Sequence, residues 1–403
     1  MKISTKLLLG VALAFVPSVA SAADKTISFV ECGDKLSAVH ADLITKWEAA
    51  NAGFKIAPEA VGWDQCQDKV TTLAAAGTPV GLAYVGSRTL KQFSGNGLIV
   101  PVPMTDAEKK SYYPYIVETV TSGGQQWGVP VAFSTKSLYW NKDLFAAAGL
   151  DPEKAPATWA DELAAAKAIK EKTGKAGFGV VAKTFDNTMH QFLHWVYSNN
   201  GSVIDANNKI TLNSPENLEA LTALKDITAY AEEGPTSYEQ NEVRAIFLDG
   251  KLGMIQASVG AKGLLKDAKF KWGVAPLPLG PHAKGPGTLL ITDSFAVFKG
   301  TGVEDKAVAF AKFLASPENQ PVYEAAEGLT PLRPGPAVDK LVAGDANWKP
   351  FIDGISYGGP EPLFTDYKGL QNTMIELVQS VVTGKAAPAD ALKKAAADLE
   401  QYK

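Results

Sequence analysis

Beyond the first two dozen residues, short apolar and β-branched runs alternate with longer stretches whose apolar positions recur every three or four residues. Thr26–Val30, Lys55–Val61 and Gly81–Val85 carry the strand pattern, and Ser37–Ala50 and Gln65–Ala76 the helical one. This alternation predicts an α/β protein with a mainly parallel sheet. Trp127–Phe133 and Ser137–Trp140 read as strands that leave this first lobe. Thr158 is placed to cap an alanine-rich helix, Ala160–Lys172, with Glu162 in its first turns. Phe178–Val181 reads as the strand that begins a second lobe, followed by helices at about 187–198, 215–233 and 242–249 and a strand at 252–256. Lys271–Ala275 and Leu290–Phe298 read as strands that return the chain to the first lobe, and helices are expected at 303–314, 318–327, 367–382 and 388–401. No long Pro/Gly-rich tether separates the lobes, so several strands are expected to cross between them. The expected limits are 23–133 with about 275–345 for the first lobe, and about 134–274 with about 346–403 for the second.

The start of the chain has a different character. Residues 1–22 combine Lys2 and Lys6, an apolar run from Leu7 to Val16, and the small residues Ala20-Ser21-Ala22. That order predicts a secretory signal peptide cut before Ala23 and a mature protein in a periplasm. Export changes the meaning of Cys32 and Cys66, the two cysteines of the chain. They follow the first two strands of a β-α-β unit, whose C-terminal ends lie side by side. In an oxidising compartment they are expected to form a disulfide between two loops on one sheet edge.

Composition narrows the function classes. With 46% hydrophobic and 20% charged residues, the 403-residue chain is ordinary globular material. Lys+Arg is 39 against Asp+Glu 43, so no basic excess exists to neutralise phosphates and no nucleic-acid partner is expected. His190 and His194 share one helix face, but Gln191 follows the first and no third ligand stands out; no metal and no cofactor are expected. No phosphate loop and no nucleophile elbow occurs. The three arginines are Arg88, Arg244 and Arg333, and two of them, Arg88 and Arg333, fall in loops. Each is either a surface residue or a rigid donor fork for hydroxyls, carboxylates or phosphates.

Three stretches then stand out: Trp127-Gly-Val-Pro-Val-Ala-Phe133, Leu138-Tyr-Trp-Asn-Lys-Asp-Leu-Phe-Ala-Ala-Ala-Gly-Leu150 and Ala157-Thr-Trp-Ala-Asp-Glu-Leu163. With Gly273–Pro281, Ala309–Gln320 and Gly328–Arg333, they resemble the extracellular solute-binding proteins of ABC transporters, the family that includes maltose-binding members. Trp140 stands where tyrosine is usual. The resemblance implies an α/β fold of two lobes joined by crossing hinge strands, with a ligand cleft between the lobes. It implies a monomeric, non-catalytic binder that captures a carbohydrate or polyol, neutral or anionic, and delivers it to the membrane permease. The alternative from another class is an exported carbohydrate-active enzyme.

Ligands of open α/β sheets bind beyond the C-terminal strand ends. That rule selects Glu31 and Asp34 after the first strand, Trp63, Asp64 and Gln65 after the second, and Ser87 and Arg88 after the third. The family resemblance adds Phe133 and Ser134. His194, Trp195, Ser258 and Gly260 are expected from the second lobe, and Arg333 from a late loop. Asp293 interrupts a returning strand and either bonds to ligand hydroxyls or caps a turn. Gly260 stands where some relatives place an aromatic platform. Tyr357, with Trp272, Phe364 and Tyr367, is a candidate to replace that platform or belongs to the core.

Overall fold

The computed structural model describes residues 25–33, 35–205 and 207–403, with the Asp64 side chain left out. The expected signal peptide, Asp34 and the Asp64 side chain therefore lie outside the described residues. The fold is α/β and two-lobed, built on two principal sheets. In the first, Lys25–Cys32 lies between Phe54–Val61 and Leu82–Gly86, parallel to both. Thr288–Val297 continues the sheet antiparallel to Leu82–Gly86, and Val129–Ser134 and Gly358–Pro360 pair with it. The second sheet runs Trp272–Ala275, Ser137–Asn141, Leu252–Ala257, Ala176–Phe178.

The lobes are joined where strands pass from one sheet to the other. Ser134 closes a strand of the first sheet and Ser137 opens one of the second. Thr288 ties down that crossing: its hydroxyl donates to the Lys136 carbonyl at 2.7 Å and accepts from the Lys136 amide at 3.1 Å. Leu289 packs in the apolar cluster of the second lobe and Leu290 in that of the first, because successive strand side chains point to opposite faces. The first core gathers Phe29, Trp47, Phe295 and Phe310; the second gathers Trp159, Phe178, Phe192 and Trp195.

Two local expectations need correction. The helix expected from Gln65 begins two residues earlier, so that Trp63, Asp64 and Gln65 form the first turn of helix Trp63–Ala75 and not a strand-end loop, with Gly62 at the N-cap. The strand expected at Phe178–Val181 is instead Ala176–Phe178. Gly179 still donates to the Met254 carbonyl, but beyond it side chains take the backbone amides: Val180 donates to the Glu232 carboxylate and Val181 to Gln191. Thr158 does cap its helix, Trp159–Thr173, in a capping box completed by Asp161.

Candidate functional site

The Cys32–Cys66 disulfide is present, with the Cα atoms 5.5 Å apart. It joins the end of the first strand to the first turns of helix Trp63–Ala75, beside the ring of Trp63. That half-buried ring meets Tyr84 edge-on at 5.3 Å. The Tyr84 hydroxyl donates to Asp293 at 3.2 Å. Asp293 sits at a register shift in its strand, and its other oxygen lies 3.9 Å from Arg88. Burial pushes the Asp293 carboxyl up to about 7, against the pull of Arg88.

Arg88 is the centre of the arrangement and is only 4% exposed. It leaves the first sheet just after Gly86, and its guanidinium reaches the second lobe. Nε and Nη2 donate to Asp186 Oδ2 at 3.1 and 2.7 Å, and Nη1 donates to Glu361 at 3.3 Å. Asp186 is the first residue of helix Asp186–Ser198. Burial alone would raise its pKa; Arg88, His190 and Tyr367 overcome that and hold it below the usual carboxylate range. The Tyr367 hydroxyl donates to the other Asp186 oxygen at 2.9 Å, and Gln371 bonds to the same atom. His190 Nε2 lies 2.6 Å from the second Glu361 oxygen.

Two further buried groups come from the second lobe and the crossing. His194 Nδ1 bonds to Gln256 at 3.0 Å, while its Nε2 has no partner. Burial keeps this imidazole neutral by pulling its pKa well below the ordinary value, and Lys136 adds to the effect. Lys136, at the crossing turn, is drawn down to about 8 by burial, against the opposing pull of Asp293 and Glu361.

Two hollows flank the Arg88 wall. Trp63, Gln67, Asp186, Tyr367 and Gln371 line a groove of about 220 Å³ on the side of the first-lobe strand ends. Ser87, Arg88, Tyr115, Tyr197, Thr292 and Glu361 help line a cavity of about 590 Å³ on the other side. Among the described residues, no group of His, Cys, Asp or Glu could hold a metal ion, and no helix is long and apolar enough to cross a membrane.

The structure thus gathers Trp63, Arg88 and Asp293 in one network, with Ser87 bonded nearby to Ser294 at 2.7 Å, while His194 is held by Gln256. Glu31 is buried and bonded to His40 at 3.0 Å, with one oxygen unpartnered. Gln65 is exposed on its helix, and Ser134 is half-buried beside Ile291. Ser258 offers its carbonyl to the Tyr139 hydroxyl, and Gly260 opens a short helix.

Besides Glu31, Gln65, Ser134, Ser258 and Gly260, four more expected contacts lie outside the network. Phe133 is a core residue of the first lobe, edge-on to Tyr113 and Tyr115. Trp195 packs between Trp159 and Phe178, because the residue after His194 points about 100° away around the helix. Arg333 bonds to Ser111, Tyr112 and the Ala315 carbonyl, all within the first lobe. Tyr357 lines a separate hollow of about 360 Å³ with Tyr197, Asn200 and Lys284. Of the other platform candidates, Phe364 is fully buried in the core, whereas Tyr367 belongs to the network. Sequence reasoning missed Asp186, Glu361, Lys136 and Tyr84. Asp186 opens a helix beyond a second-sheet strand end and was open to the rule that selected Arg88; Glu361, between two prolines, carried no signal.

Residues 33–321 match the family model described as bacterial extracellular solute-binding protein. The chain is 27% identical over 398 residues to a putative binding protein of Brucella abortus (strain 2308), covering 97% of this chain and 96% of that one. It is 27% identical over 307 residues to the sn-glycerol-3-phosphate-binding periplasmic protein UgpB of Pectobacterium atrosepticum, covering 69% of this chain and 66% of that one. Its fold matches the ABC transporter solute-binding protein of Thermotoga lettingae bound with alpha-D-tagatose, with a TM-score of 0.83 at 22% identity over 94% of this chain and 99% of that one.

Proposed function

The chain belongs to the bacterial extracellular solute-binding proteins, and from that premise we propose that it is the periplasmic capture component of an ABC importer. In this reading it binds an uncharged carbohydrate or polyol between its lobes and, as a monomer, delivers it to the transmembrane permease.

The observation that carries the uncharged reading is the charge balance around Arg88. Its guanidinium already has Asp186 and Glu361 within bonding distance, and Asp293 close by. An anionic ligand would enter against three carboxyl groups, with Lys136 as its main counter-charge. An uncharged polyhydroxyl ligand meets no such conflict. It finds the half-buried Trp63 ring for its apolar face and, linked to that ring through Tyr84, the Asp293 carboxyl as a hydrogen-bonding group. Asp186 and Glu361 are both held by Arg88, which disfavours their use as an acid–base pair in a hydrolase. For the lobes, the apolar clusters support limits of 25–134 with 290–335, and 135–289 with 336–403, except that Ile352 and Ile355 pack with the first lobe and Gly358–Pro360 pairs in its sheet. Trp272–Ala275 pairs in the second sheet, and Leu341 and Val342 pack with Trp348 and Phe351 on the second-lobe side.

The test is a thermal-shift panel of monosaccharides, disaccharides, polyols and sugar phosphates, since a ligand of the native state raises the melting temperature. Hits are then titrated calorimetrically at low and high salt and against Trp63→Ala. Neutral compounds are expected to bind with little salt dependence, and Trp63→Ala to weaken binding roughly tenfold or more. A panel in which only sugar phosphates bind, with affinity that falls as salt rises, would overturn the uncharged reading.

A further inference from the structure

We infer that Arg88, Asp186 and Glu361 form a clasp that holds the two lobes together without ligand, so that Arg88 is a positioning residue for closure and not a ligand contact. The inference rests on the interlobe cleft being the solute site.

The three residues come from separate parts of the fold. Arg88 follows the first-sheet strand Leu82–Gly86, and Asp186 begins a helix whose buried face packs in the second-lobe core. Glu361 follows Gly358–Pro360 on the way to the second-lobe helix Tyr367–Val382. Their side chains are 4%, 2% and 4% exposed.

Every carboxylate oxygen of the clasp has a partner. Asp186 Oδ2 accepts twice from Arg88, and Oδ1 accepts from Tyr367 and Gln371. One Glu361 oxygen accepts from Arg88, and the other faces His190 Nε2. The Tyr367 ring lies 5.6 Å from the guanidinium carbon. Each carboxylate oxygen already has at least one partner, and three of the five guanidinium N–H groups are used. A side chain meant to grip a solute would instead keep its donors free in the cleft.

The backbone is fitted to this role. The guanidinium folds back over Gly86, where an added Cβ would lie 2.2 Å from Nη1. Gly86 has φ −62, so its lack of a side chain serves the close approach and not an unusual backbone angle. Removing one partner of such a buried set leaves a charge stranded, and opening the lobes is the direct way to return that charge to water. The clasp therefore favours the closed arrangement and pre-organises the cleft for ligand.

The test reads lobe separation in the unliganded full chain. Spin labels at Lys110→Cys and Lys172→Cys, one exposed site on each lobe, report the interlobe distance by pulsed electron resonance. Arg88→Met, Glu361→Gln and Gly86→Ala are compared with the parent. The parent is expected to give a dominant short distance. Each variant is expected to lower the closed-to-open ratio roughly tenfold or more. Arg88→Lys, which can serve only one carboxylate well, should recover part of the closure. If the parent is already open without ligand, or if the variants lower the melting temperature and leave the distances unchanged, the clasp is wrong. Because no solute is added, that failure is separate from failure of the sugar-binding reading.

Discussion

Glu162 lies on the inner stripe of helix Trp159–Thr173, in line with Trp159, Ala165, Ala166 and Ile169. Its position would ordinarily hold an apolar residue. It is fully buried, and neither oxygen meets a partner in full hydrogen-bond geometry. Burial pushes its carboxyl from 4.5 up to about 8, offset only in part by the nearby Gln256 side chain. Below about pH 4 the folded and unfolded chains both carry the proton. Between there and about pH 8 only the folded chain does, so this group's effect on stability worsens steadily as pH rises. At pH 7 the gap is 7 minus 4.5, or 2.5 units, which at 1.36 kcal/mol each is a cost of roughly 3 kcal/mol. Glu162→Gln keeps the shape and removes the titration. Its own amide brings unpartnered donors, so its stability relative to the parent at low pH can be of either sign. The pH dependence of the difference is the reading: the variant should gain roughly 2.5 kcal/mol on the parent between about pH 5 and pH 7. Other raised acids, such as Glu232 and Glu324, are the same in both chains and cancel. Urea unfolding of both proteins across that range measures the gain. Parallel stability curves would show that Glu162 is not held protonated by burial, and the reasoning would fail.

Reduction of the Cys32–Cys66 bridge, or its replacement by two serines, should lower stability by roughly 4 kcal/mol for its 34-residue separation, read as a drop in the urea midpoint. Retention of the oxidised midpoint after complete reduction would contradict this. Arg333→Ala should cost stability, because the Arg333 side chain joins Tyr112 to the Ala315 carbonyl and stacks 4.1 Å from the Tyr112 ring. Ligand affinity and its salt dependence should stay unchanged in that variant, and a loss of affinity by calorimetry without unfolding would return Arg333 to the cleft.

Much of the architecture was legible in the chain itself because it rests on local periodicity. The alternation of strands and helices up to Val85 set the parallel part of the first sheet. The β-α-β spacing was enough to bring Cys32 and Cys66 together, since parallel neighbours place their C-terminal ends side by side. Trp63 and Arg88 could be selected by the same strand-end rule. What that rule could not decide is which way each side chain turns and what meets it. His194 and Trp195 are sequence neighbours, yet one faces Gln256 and the other the core, because the helix turns about 100° per residue. Arg88 and Arg333 looked alike as loop arginines. One is answered by carboxylates 98 and 273 residues away and the other by groups of its own lobe. Short-range pattern specifies elements because backbone hydrogen bonding and side-chain periodicity act over a few residues. The charge balance of the cleft is set by groups that only tertiary packing brings within bonding distance, and their protonation by burial that no local pattern records.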